Sequence, residues 1–147
     1  MSLLPLFASC ARGIETLVAR ELAALGASGI RETVAGVYAE GDLATAYRIG
    51  YCARLPSRCL LRLGEAEIVS PDDLYALARQ VRWHEHFRGE DRFAIHVGGK
   101  SAAFRDTRFA MLRVKDAIAD AFRERTGARP YVDAETPDAL VHIALKG

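Results

Sequence analysis

A chain of 147 residues, 50% hydrophobic and 27% charged, has the size and composition of one domain or two small ones with a packed core, which excludes a disordered or low-complexity protein. The net charge of +1 names no partner, and three cysteines without CxxC spacing, Cys10, Cys52 and Cys59, argue against a disulfide framework or a zinc site. The opening residues lack the basic start and apolar run of a secretory signal and no stretch approaches a membrane span, so a soluble cytoplasmic protein is expected.

In chain order, "PLFASC" is a short apolar run that stops at Gly13 and reads as a buried strand. Ile14, Leu17, Val18, Leu22 and Leu25 then recur at helical spacing, with Gly26 as the C-terminal stop. "IRETVAGVYAEG" reads as one strand ending at Glu40-Gly41, after which Asp42 can cap a helix reaching about Cys52, and "PSRCLLRLGEAEI" reads as a further strand. The order to this point is βαβαβ, the pattern of a small sheet with helices on one face.

Ser70, Pro71, Asp72 and Asp73 form a helix start: a capping hydroxyl, a proline at the first helical position and carboxylates at the positive end of the dipole. Leu74, Leu77, Ala78 and Val81 make its apolar stripe. "DRFAIHVGG" alternates like a strand. From about Thr107 a long helix carries Met111, Val114, Ile118, Ala121 and Phe122 on one side, Gly127 to Pro130 break it, and "ALVHIALKG" is a last apolar strand. The domain boundary falls between Leu63 and Ser70, giving an N-terminal unit of residues 1–66 and a second unit of residues 67–147.

The charge is unevenly spread. Lys100 to Arg129 holds eight basic residues (Lys100, Arg105, Arg108, Arg113, Lys115, Arg123, Arg125, Arg129) against four acids, a local excess of +4. On the long helix Arg108 and Lys115 are seven apart, just off one edge of the apolar stripe, while Asp120 and Glu124 fall toward the opposite side. Long basic stems covering a core edge give such a pattern, and so does a stripe that neutralises phosphates.

Other chemistry fits poorly. "GGKS" at Gly98–Ser101 lies between a strand and a helix, yet a phosphate loop needs a glycine where Ala94 stands, so the glycines read as a tight strand exit. In "WHEHF" the spacing of His84 and His86 lacks a third ligand, and a helix terminus with Trp83 and Phe87 buried is the better reading. His96 and His142 each sit singly in a strand. Cys10 precedes a helix whose positive end would lower its pKa, but no histidine or second cysteine stands near it in sequence. No GxGxxG motif and no Pro-Pro pair occur. No catalytic, metal or cofactor residues are therefore assigned to this chain.

Four stretches together carry a resemblance. "LFASCARGIETLVARELAALGA", "ARLPSRCLLRLGE", "DLYALARQVRWHEHF" and "RVKDAIADAFRERTGARPYVDAETPDALVHIAL" resemble, in the same order, segments of bacterial 23S rRNA guanine-N2-methyltransferases that carry a THUMP domain. The resemblance implies an α+β fold: a ferredoxin-like subdomain packed against a THUMP-type α/β RNA-binding domain that is truncated at its C-terminus, where the chain stops at Lys146-Gly147. It also implies a partner, 23S ribosomal RNA, and a downstream methyltransferase domain in the same polypeptide that binds S-adenosylmethionine and uses an Asn-Pro-Pro-Tyr-like motif. These 147 residues hold neither that domain nor that motif.

The family's "VKDAI" helix matches Val114 to Ile118, which makes Lys115 the first candidate for an RNA contact. Arg108 is on the same edge, and Lys100, Arg105, Arg113, Arg129 and Lys146 are further candidates, while Asp116 is expected to pair locally, because phosphate repels a carboxylate. Shape and phosphates are expected to dominate recognition, with little aromatic stacking. Two alternatives remain open at this point: a structural docking or dimerisation domain without its own RNA affinity, and a nucleotide-binding enzyme built on "GGKS".

Overall fold

The computed structural model describes residues 2–147, which divide into two units, residues 2–63 and 64–147. In the first, β1 (Leu4–Ser9), α1 (Glu15–Ala24), β2 (Ser28–Thr33), β3 (Gly36–Gly41), α2 (Leu43–Cys52) and β4 (Arg58–Leu61) form an antiparallel four-stranded sheet in the order β2-β3-β1-β4. Leu6, Ala8, Val37 and Ala39 alternate along the two central strands and pack with Val18 and Leu22 of α1 and Ile49 of α2, so both helices cover one face. Asp42 caps α2 as expected, its Oδ1 accepting from the Thr45 N–H at 2.7 Å.

The stretch expected as one strand, residues 30–41, is a hairpin of β2 and β3, so the order is βαββαβ. Its turn is Val34-Ala35, with Ala35 left-handed at φ 58, and neither residue carries the usual Gly or Asn turn signal. Contacts distant in sequence hold it instead. Glu15 Oε1 accepts from the Ala35 N–H at 3.0 Å, and the Cys10 N–H donates to the Ala35 carbonyl at 2.9 Å. Two smaller expectations also change: β4 ends at Leu61, well short of Ile68, and Leu17 is 48% exposed on the outer side of α1.

The second unit comprises α3 (Pro71–Arg79), a 3-10 turn (Trp83–Glu85), β5 (Arg92–Gly99), α4 (Thr107–Thr126), β6 (Tyr131–Val132) and β7 (Ala139–Leu145). Its sheet is parallel, in the order β6-β5-β7. The start of α3 is as read: Asp73 Oδ2 accepts from the Ser70 and Val69 N–H groups, both at 2.9 Å. Val114, Ile118 and Phe122 of α4 bury against Leu74, Phe87 and Phe93, together with Ala110 and Ala117, so the apolar stripe is centred slightly to one side of the Met111 and Ala121 positions. Trp83 is buried and its Nε1–H donates to the Ala78 carbonyl at 2.8 Å, while His84 and His86 face outward. No helix among the described residues is long and apolar enough to cross a membrane.

Candidate nucleic-acid interface

The basic residues are sorted by the way α4 packs. Its acidic side meets α3: Asp120 Oδ2 accepts from the Tyr75 hydroxyl at 2.6 Å, and Glu124 pairs with Arg79. Arg113 lies in the same seam, its guanidinium 2.8 Å from Asp72 Oδ1, 3.8 Å from Asp116 and 4.5 Å from the centre of the Tyr75 ring. Its Nε is buried without a hydrogen-bond partner. That places Arg113, one of the candidate contacts, among the residues fastening two helices rather than on an open edge.

Lys115 is on the opposite edge of α4, half-buried along its stem. Among the described residues it makes no ion pair, and neither do Lys100, Arg105 and Arg129, which are exposed. Lys100 and Arg105 lie in the β5–α4 connection and Arg129 follows the α4 C-terminus, where Gly127 is left-handed at φ 71. Arg108 is exposed on the same edge as Lys115, but its guanidinium is held by Asp106, Nε to Oδ2 at 2.8 Å and Nη2 to Oδ2 at 2.7 Å. The same carboxylate caps α4 through the Arg108 N–H at 2.8 Å. This bonding, the guanidinium first and the N–H second, holds the Asp106 pKa below its ordinary value and raises that of Arg108. Lys146 follows β7, is exposed and comes beside Lys100, since Leu145 pairs with Gly99 and a Cβ at Gly147 would stand 3.5 Å from the Lys100 carbonyl oxygen.

The structure bears on the remaining chemistry as well. Gly99 faces Leu145 across the β5–β7 ladder at φ 85, and a Cβ there would stand 1.9 Å from the Leu145 carbonyl oxygen. The α4 helix begins at Thr107, six residues beyond Ser101, so "GGKS" cannot place phosphate at a helix N-terminus. His96 and His142 are not single: they are cross-strand partners with ring centres 5.5 Å apart. Burial and then the neighbouring Glu15 carboxylate push the Cys10 thiol up, opposite to the effect expected from the helix end. Aromatic groups are less confined to the core than expected, since Tyr47 is 70% and Tyr51 94% exposed on α2, and Phe109 is 59% exposed on α4. A spacing of i, i+4 on α2 carries that signal in the sequence.

Comparisons with known proteins agree with this architecture. Residues 69–147 match the THUMP domain and residues 5–60 match the RlmL ferredoxin-like domain. The chain is 42% identical over 139 residues to a ribosomal RNA large subunit methyltransferase K/L of Cellvibrio japonicus, and 45% identical over 145 residues to one of Chromohalobacter salexigens. These alignments cover 95% and 97% of this chain but 18% and 20% of the relatives, so the chain spans about a fifth of their length. Among solved structures, a Listeria monocytogenes protein described as a predicted N6-adenine-specific DNA methylase shares the fold with a TM-score of 0.87 at 22% identity, over 99% of this chain and 38% of that one. A putative methyltransferase, SMU.472, in complex with SAH gives a TM-score of 0.81 at 19% identity, over 99% of this chain and 39% of that one.

Proposed function

The chain belongs to the THUMP domain family, with an RlmL ferredoxin-like domain ahead of the THUMP segment, and from that premise we propose that it is an RNA-binding module. Its substrate is structured 23S ribosomal RNA, which it positions for a guanine-N2-methyltransferase domain that takes S-adenosylmethionine. The observation that carries this reading is the sorting of charge on α4. The acids of that helix are occupied along the α3 seam, while Lys115, Lys100, Arg105 and Arg129 are left without carboxylate partners. Lys115 on a rigid helix, with unpaired cations in the segments before and after that helix, can release counterions from an RNA backbone without breaking internal pairs. The names of the relatives support a ribosomal target.

Titration of a folded 23S rRNA fragment across a salt series tests the reading. Each phosphate neutralised steepens the log-log slope by up to about one unit, so Lys115→Ala is expected to flatten it by about one unit. Arg108→Ala is expected to act less, because Asp106 already holds that guanidinium. Unchanged affinity and slope in a folded Lys115→Ala, Arg108→Ala double variant would overturn the assignment. The docking-domain alternative draws on one feature, the outward line of Leu43, Tyr47 and Tyr51 on α2.

A further inference from the structure

We propose that the face of the first unit's sheet opposite its helices is a second RNA site, one that stacks unpaired bases on the Phe7 ring and on the guanidinium planes that cover Tyr38. The proposal rests on the reading of the chain as an RNA-binding module. It assigns a ligand to a unit that the basic edge of α4 does not include.

The argument starts from alternation. Leu6 and Ala8 of β1, and Val37 and Ala39 of β3, point into the helix-covered core, so Phe7 and Tyr38 between them point to the other face. Both are half-buried and are direct cross-strand partners on the two central strands, with ring centres 4.9 Å apart. The Phe7 ring rests on Gly36, where a Cβ would come within 2.2 Å of it. Any side chain at position 36 would lift the ring off the sheet.

Guanidinium groups cover the Tyr38 half of this aromatic pair. Arg31, opposite Tyr38 on β2, is exposed and stands 4.2 Å from the centre of the Tyr38 ring, and Arg62 stands 4.6 Å from it. Arg58 is opposite Ser9, next in alternation to Cys59, which packs on the core side, so Arg58 faces outward with the rings. Glu40, between Pro5 of β1 and Ser28 of β2, also points to this face, with its carboxylate over Gly29 of β2. From Leu43 to Gly64 the chain has four arginines and no acid.

Two central-strand aromatics on a four-stranded antiparallel sheet, flanked by arginine planes, are the arrangement that splays and stacks single-stranded bases. Such stacking tolerates different bases because each offers a π face, and the guanidinium groups can take the adjoining phosphates or stack in their turn. The charge favours a polyanion over a protein surface. The occupant is therefore an unpaired RNA segment.

The test uses the whole chain and two RNAs, a blunt hairpin and the same hairpin with a single-stranded extension, read by fluorescence anisotropy with thermal melting of every variant. The wild type is expected to prefer the extended RNA. Phe7→Leu and Arg31→Gln are each expected to lower affinity for the extended RNA about tenfold, the equivalent of one lost stack, and to leave the blunt hairpin unchanged. Arg31 is exposed, so that variant keeps the fold even if the Phe7 substitution does not. Lys115→Ala is expected to weaken both RNAs alike. A wild type without preference, or a preference that survives both substitutions while Lys115→Ala still weakens binding, overturns the sheet-face site and leaves the α4 grip standing. Failure of the chain to bind either RNA overturns both.

Discussion

Single side chains carry two of the clearest consequences. Asp106 serves two partners at once, the α4 N-terminus and the Arg108 guanidinium. Asparagine is as good a cap but carries no charge, so Asp106→Asn is expected to keep the helix and release Arg108. RNA affinity should rise and the salt slope steepen by up to about one unit, with melting temperature nearly unchanged; no gain in affinity would mean that Arg108 stays off the RNA. The thiols diverge in a similar way. Cys10 is buried with its pKa raised and Cys59 is partly buried with its pKa raised, both chiefly by desolvation, whereas Cys52 is exposed. Mass spectrometry of a brief iodoacetamide pulse at neutral pH is expected to find Cys52 modified first and Cys10 last, because the thiolate is the reactive form.

At the scale of elements, α3 and α4 form a pair whose seam consumes charge. Tyr75→Phe deletes the 2.6 Å bond to Asp120 and should cost about 1 kcal/mol in denaturant unfolding with little change in RNA binding. Ile118→Ala is the larger lesion. Ile118 is fully buried, and its truncation leaves a cavity worth roughly 2–5 kcal/mol. The helix starts at Asp42 and Ser70 could be read directly, since a capping side chain is a local device. The β2–β3 hairpin could not, because Ala35 adopts its left-handed turn through bonds with Glu15 and Cys10, twenty and twenty-five positions back. The exposed tyrosines of α2 had a legible spacing, yet an outward aromatic and an inward one look alike until the core is known.

Over the whole molecule, five carboxylates hold turns and helix starts in both units and have pKa values below the ordinary range. The leading causes are the guanidinium of Arg108 for Asp106 and backbone N–H groups for the others: Glu15 by its own and that of Ala35, Asp42 by Thr45, Asp73 by Ser70, Asp133 by Thr136. A depressed folded pKa contributes stability that is complete above the unfolded value of about 4 and is lost as pH falls through the lower folded values. The melting temperature is therefore expected to be level from pH 7 to about 5 and to drop below about 4. A steady decline beginning well above pH 5 would overturn that assignment.

By itself the sequence determined what depends on neighbours along the chain: the two-unit α+β plan, the caps, the core stripes of the helices, and the basic excess from Lys100 to Arg129. Periodicity, capping chemistry and local charge act over a few residues, and each can be read without knowing what lies across the core. Only the tertiary structure decided which cations are already taken. Arg113 is drawn to Asp72 on another helix and Arg108 to its own cap, while Lys115 is left unpaired. It also decided that Phe7 and Tyr38, thirty-one positions apart, share one face of the sheet, with two guanidinium groups over the Tyr38 ring. Pairing of charges and of strands is settled by distances through space, and those exist only once the chain has folded.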